Sequence, residues 1–182
     1  MANKPRVLFE DATYHITSRG NNRQTLFHDS FNFLFFLGFL SCSVYEYGWL
    51  CFSYCLMTNH YHLVIQTPQP NLSEGMHKLH SRYSHYYRNK YPFTGKLFEG
   101  RYDTQNISDD AYALESIRYD LINPVRAGLV KHPKDWSWSS YKETAGLEEP
   151  SGWVDNEWVR SMFDDDQIPA KRFMRFIEMG LE

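Results

Sequence analysis

The sequence has little cysteine, no long hydrophobic run and no excess of positive charge. Its three cysteines, Cys42, Cys51 and Cys55, are odd in number and lie in apolar segments, which excludes a paired disulfide framework; Cys51 and Cys55 also lack the spacing and partners of a zinc knuckle. The expectation is buried, reduced thiols in a cytoplasmic protein. The most apolar run, FNFLFFLGFLSCSVY, extends only from Phe31 to Tyr45 and falls short of the ~20 residues a helix needs to cross a bilayer. No membrane span is expected, and the run reads as a buried helix. MANKPRVLFED at the start has no apolar core of signal-peptide length. There is no internal repeat, low-complexity tract or long block of like charge. A net charge of −3 and a pI near 6.2 lend no support to nucleic-acid binding from totals alone, so any such function must rest on a local patch.

What is present is a globular composition over 182 residues, 42% apolar and 23% charged, with thirteen Tyr, thirteen Phe and five Trp. That length can bury a substantial core. The aromatics suit packed strands or surfaces on which bases stack. We expect one domain over 1–145 and a tail over 146–182.

TYHITSR, 13–19, alternates as a strand and ends at Gly20-Asn21-Asn22. Asp29 or Ser30 can cap a helix over about 31–46 that stops near Gly48. Strands follow at about 49–57 and 60–67, joined by Thr58 and Asn59 as a hairpin. Ser73 can cap a helix over 74–90, in which Met76, Leu79, Tyr83 and Tyr87 recur at helical spacing. A turn at Pro92 to Gly95 leads to an extended piece over about 97–107. Asp109 and Asp110 open a third helix, which Pro124 is expected to end, because the residue before proline is pushed from helical geometry. Residues 125–145 read as irregular. The order is the split β-α-β pattern of an α+β, ferredoxin-like (RRM-like) domain: an antiparallel sheet with helices on one face and the other face open.

Within NHYHLVIQTP, 59–68, pleating puts Tyr61, Leu63 and Ile65 on one face and His60, His62, Val64 and Gln66 on the other. The apolar set belongs under the helices. The two imidazoles then stand on the open face about 7 Å apart by strand rise, a spacing that allows one metal ion to be shared; half-exposed aromatics with no ligand is the alternative. In SIRYDLINPVRAG, 116–128, Tyr119 and Asn123 are one helical turn apart. The amide oxygen of Asn123 can complete a His-His-Asn site for a hard divalent cation, Mg²⁺ or Mn²⁺. Tyr119 would stand beside it, facing a phosphodiester polarised by the metal. The competing reading makes Tyr119 core and Asn123 a helix end.

MTNHYHLVIQTP, GKLFEGRYDTQ, YDLINPVRAGLV and DWSWSSY occur in that order over roughly 12–142. Together they resemble the REP-associated tyrosine transposases, within the single-tyrosine HUH endonucleases of small bacterial insertion sequences. The resemblance implies that His60 and His62 are metal ligands, that Asn123 stands where the insertion-sequence enzymes have a liganding glutamine, and that Tyr119 is the nucleophile. It further implies cleavage and rejoining of single-stranded, hairpin-associated DNA through a covalent 5′-phosphotyrosine. Tyr61 between the histidines departs from the smaller residue also common there. Tyr83, Tyr86 and Tyr87 compete as nucleophiles, but periodicity assigns Tyr83 and Tyr87 to the core.

Cations for a DNA backbone occur locally: Arg19 and Arg23 after the first strand, Lys78, Arg82 and Arg88 on the second helix, and Lys96 and Arg101 beyond it. Much of the negative charge falls later, at Glu148-Glu149 and Asp164 to Asp166. Trp136 and Trp138 can stack on bases or pin the chain to the sheet, and packing is favoured. A non-catalytic, ferredoxin-like module that grips hairpin nucleic acid is the alternative to a strand-transfer enzyme. Oligomeric state, monomer or homodimer, is left open.

Overall fold

A computed structural model describes residues 7–92, 94–163 and 169–181. Four strands, β1 (Ala12–Arg19), β2 (Leu50–Leu56), β3 (His60–Thr67) and β4 (Asp103–Ile107), form one sheet in the order β2-β3-β1-β4. Every neighbouring pair is antiparallel. With α1 (Ser30–Tyr47) between β1 and β2 and α2 (Leu72–Lys90) between β3 and β4, this is the expected α+β, ferredoxin-like arrangement. The hairpin closes where the Met57 amide donates to the His60 carbonyl at 2.8 Å, leaving Thr58 and Asn59 as the turn.

Local sequence explains most boundaries. Asp29 caps α1 by accepting from the Asn32 amide at 3.1 Å, and the Asn32 side chain reaches back to the Asp29 amide, a reciprocal capping box. Gly48 ends the helix at φ 64°, which a residue with a Cβ adopts only at a cost. The residue preceding α2 is Asn71 rather than the expected Ser73. Its side chain caps nothing and instead accepts from the Trp49 indole at 2.7 Å while donating to the Tyr47 carbonyl. Gly75 then lets α2 approach: a Cβ there would lie 2.2 Å from the Trp49 ring.

On one face, α1 and α2 bury Phe36, Leu40, Met76, Leu79 and Tyr83 against Ile16, Tyr61, Leu63 and Ile65, as the pleat predicts. The apolar run of α1 is buried along one side only; Phe31, Leu34 and Phe35 are exposed. Cys51 and Cys55 are buried, whereas Cys42, expected to be buried, is exposed on this helix.

The opposite face is open only at one end. α3 (Asp110–Arg126) lies across it, and Ala113, Ile117, Leu121 and Ile122 pack with Val64, Phe52 and Ile107. Val64 points to that face and is too apolar to be left in water, so burial overrides the expected openness. Asp109 caps α3, accepting from the Tyr112 amide at 2.8 Å. The helix does not stop at Pro124. It runs on to Arg126, because proline so close to the end removes a single N–H while the buried ring packs; the Ala127 amide still reaches the Asn123 carbonyl at 2.8 Å.

Residues after α3 are not wholly irregular, since a 3₁₀ turn at Pro133–Asp135 and α4 (Tyr141–Thr144) lie there. Trp138 stacks on Phe33 at 4.4 Å and the Trp136 indole donates to the Leu56 carbonyl at 3.0 Å, so both pin the chain. α5 (Asn156–Ser161) and α6 (Pro169–Glu178) continue the second core: Val159, Phe173 and Ile177 are fully buried there. The extended piece expected over 97–107 narrows to β4 plus one bridge, Phe98 to Gly20, with Gly100 at φ 70° between them. Phe93 of the Pro92 to Gly95 turn and the acidic run Asp164 to Asp166 lie outside the described residues. Among the described residues, no helix is long and apolar enough to cross a membrane.

Candidate active site

The strand register assembles the site. Thr17 faces His62 across the β1–β3 pair, Arg19 faces His60 and His15 faces Val64. Because side chains alternate, His15, His60 and His62 share the face that α3 crosses. Ring centroids of His60 and His62 are 5.1 Å apart, and His15 stacks on His62 at 5.8 Å. Tyr119 of α3 meets His62 edge-on at 6.1 Å and remains 48% exposed. The three histidines and Tyr119 line a cleft of about 1120 Å³, whose rim carries Arg19, Arg23 and Arg101. His62 is buried, not free of cover as expected from an open face.

Beneath Tyr119 lies a group absent from the sequence-based set. Asp120 is fully buried; its Oδ1 is 2.9 Å from His15 Nε2 and 3.1 Å from His62 Nδ1. The second contact has ion-pair distance without good hydrogen-bond alignment. Burial opposes ionisation of Asp120, but the charge and hydrogen bonds offered by His62 and His15 outweigh it and lower its pKa. Burial likewise works against a charged His15, and its hydrogen bond and attraction to Asp120 prevail, raising its pKa. His60 goes the other way: burial, then the neighbouring His62, push it down to about 4. It is therefore neutral at physiological pH and able to ligate a metal.

These residues fit a divalent cation. Among the described residues, neither ring nitrogen of His62 has a well-formed hydrogen bond, an unusual state for buried polar atoms. His60 Nδ1 is taken up by the Asn59 side-chain oxygen at 2.7 Å, which leaves Nε2. His15, His62 and Asp120 also bring ligand atoms within 4.8 Å of one another. Asn123 is half-buried on the Tyr119 side of α3 and is not among the residues lining the cleft. Its amide nitrogen donates to the Tyr119 carbonyl at 3.0 Å.

The rival tyrosines are engaged elsewhere. Tyr83 is fully buried and donates to the Leu26 carbonyl at 2.6 Å, and Tyr87 donates to Thr25; Tyr86 stacks on Phe35. The cations divide into groups. Arg19 pairs with Glu99 at the cleft. Lys78 and Arg82 pair with Glu46 of α1. Arg88 and Lys96 line a second groove, along α2, which shares Arg101 with the first.

His15 and Asp120 were legible in principle. The alternation that placed His60 and His62 also puts His15 on their face of TYHITSR. Asp120 falls in the buried stripe Ala113, Ser116, Ile117, Asp120, Leu121 of α3, and a carboxylate in an apolar stripe signals a buried partner.

The site is thus an antiparallel ferredoxin-like sheet whose paired strand histidines face a helix-borne tyrosine. A solved REP-associated tyrosine transposase bound to a REP hairpin has this fold, with a TM-score of 0.70 at 16% identity over 91% of this chain and 96% of its own. The yeast Saccharomyces cerevisiae tRNA(His) guanylyltransferase gives 0.51 at 9% identity over 94% of this chain and 79% of its own. A putative transposase from Deinococcus radiodurans gives 0.46 at 18% identity over 62% and 91%. No curated protein sequence matches. The family model of IS200-like transposases matches residues 9–119, more than half of the sequence, and the chain belongs to that family.

Proposed function

We propose that the protein is a divalent-metal-dependent endonuclease and strand transferase acting on single-stranded, hairpin-associated DNA, with Tyr119 as nucleophile. The observation that carries this is the half-exposed Tyr119 ring held 6.1 Å from His62 at the cleft. His60 and His62 would hold Mg²⁺ or Mn²⁺, with the Asn123 amide oxygen as third ligand. When bound, the ion supplies Lewis-acid polarisation of a phosphoryl oxygen. The Tyr119 oxygen attacks phosphorus, its proton passing to solvent; the new O–P bond is a 5′-phosphotyrosine, and the P–O3′ bond breaks, the 3′ oxygen taking a proton from solvent to become a hydroxyl. Reversal with another 3′-hydroxyl rejoins DNA without an external energy source, since the ester bond is conserved. The guanidinium of Arg126 lies 5.7 Å from the Tyr119 ring centroid and helps hold the ring at the cleft. Arg23 and Arg101 bind phosphates at the cleft, and Arg88 and Lys96 do so along α2; Arg19, Lys78 and Arg82 contribute less because Glu99 and Glu46 offset their charge.

The hairpin preference is supported by the REP hairpin in the structurally similar transposase. Residues 1–145 carry the chemistry, and in the tail over 146–182 Val159, Phe173 and Ile177 pack behind α3. Incubation with single-stranded DNA hairpins and Mn²⁺ should give a denaturant-stable protein–DNA adduct, and Tyr119→Phe should give none. An adduct in that variant would remove Tyr119 from the mechanism; no adduct with wild type on any hairpin favours a binding module.

A further inference from the structure

We infer that Asp120, together with His15, is a positioning pair that holds His62 in the tautomer with its proton on Nδ1 and its lone pair on Nε2. Three observations lead there. Asp120 is fully buried on the sheet-facing side of α3, and Oδ1 lies between two imidazoles, at 2.9 and 3.1 Å. A buried carboxylate accepts hydrogen bonds and donates none, so the nitrogen facing it must carry the proton. Among the described residues, neither nitrogen of His62 has a well-formed hydrogen bond, and the acceptor that Nδ1 faces is Asp120 Oδ1 at 3.1 Å, so the position of that carboxylate decides between the tautomers. His15 gives the same oxygen a second donor, and its ring, stacked 5.8 Å from His62 and tilted by only 13°, limits rotation of the His62 plane.

The consequence concerns metal affinity. An imidazole whose distal N–H is held by a carboxylate presents a fixed and more basic ligand nitrogen. Asp120 also adjoins Tyr119 in sequence, so the contact that orients the ligand anchors the turn of α3 that presents the nucleophile. The cluster of His15, His62 and Asp120 is thereby an orienting shell around His62 rather than a three-residue metal cage.

This inference rests on His60 and His62 as ligands, and its test separates the two ideas. In metal-free protein, ¹⁵N chemical shifts of the histidine rings read the tautomer with no metal or DNA present. Wild type should show His62 protonated at Nδ1; Asp120→Leu should show a mixture, and Asp120→Asn, which keeps an acceptor, should restore most of the single form. Calorimetric titration with Mn²⁺ should show affinity falling about 10–100-fold in Asp120→Leu and recovering in Asp120→Asn. His60→Ala should lose Mn²⁺ binding. His62 protonated at Nε2 in wild type, or unchanged shifts in folded Asp120→Leu, would overturn the inference. So would Mn²⁺ binding that survives His60→Ala but not Asp120→Asn, which would make Asp120 itself a ligand. If wild type binds no Mn²⁺, the metal reading fails, while the shifts still decide the tautomer.

Discussion

The two faces of the sheet are built on opposite principles. Under α1 and α2 lies a wide core of large side chains, Phe36, Tyr61 and Tyr83 among them, whose polar atoms are tied to fixed partners. On the other face, α3 and the C-terminal segment make a smaller core around Phe52, Leu121, Tyr141 and Phe173, which stops short of the His60 end of β3. There the buried groups are titratable, and some are unsatisfied. The first face supplies rigidity. The second gives up part of its cover to leave a cleft, with α3 pressed onto the sheet from behind: the Arg118 guanidinium lies 4.7 Å from the Phe176 ring centroid and Arg126 donates to the Gly180 carbonyl at 3.2 Å.

The largest expected effect separates chemistry from stability. Tyr119→Phe should abolish adduct formation in a gel assay while leaving the thermal midpoint within about 1 °C, because a half-exposed phenol contributes little to folding. Next, Phe36→Ala and Phe173→Ala should each cost about 3–5 kcal/mol in urea unfolding. Their contrast lies in activity measured well below the midpoint: Phe36→Ala retains cleavage, whereas Phe173→Ala loses it, since only the second loosens the packing behind α3. Equal losses would mean that the faces are not independent.

Acidification tests the first face. His80, bonded to Tyr61 and stacked on Phe98 at 3.9 Å, is held neutral, its pKa lowered to about 3 by burial and then by His77. The unfolded chain takes up this proton near pH 6.5, so the unfolded state binds more protons between 6.5 and about 3. Stability from this group is therefore lost as pH falls through that window, by up to about 1.4 kcal/mol per unit. His80→Gln should flatten the slope in unfolding measured from pH 6.5 to 4.5. The smallest effect is at the entry to α1, where Asp29→Ala should cost about 0.5–2 kcal/mol through loss of the cap, with no change in cleavage.

Much of the first face was legible because its signals are local. Alternation in HYHLVIQT and helical spacing of Met76, Leu79, Tyr83 and Tyr87 each name a buried side without reference to the rest of the chain. The Asp29 cap and the Gly48 stop are short-range as well. Ser73 misled because Asn71 is recruited by Trp49, a partner 22 residues away. Pro124 misled because a proline near a helix end costs one hydrogen bond, and packing of the buried ring decides whether the turn continues. The site was half legible: His60, His62 and Tyr119 carry motif-like spacing, whereas His15 and Asp120, 105 residues apart, have no mutual signal.

By itself the sequence determined the strands, the long helices, which side of β3 faces α1 and α2, and the family to which the chain belongs. Those follow from periodicity and ordered motifs, both properties of neighbouring residues. Only the tertiary structure decided that α3 covers the histidine face, that Phe173 and Ile177 close the core behind it, and that a buried carboxylate stands between His15 and His62. Those depend on which apolar surfaces find one another across the chain, because burial is settled by the whole fold and not by any one segment.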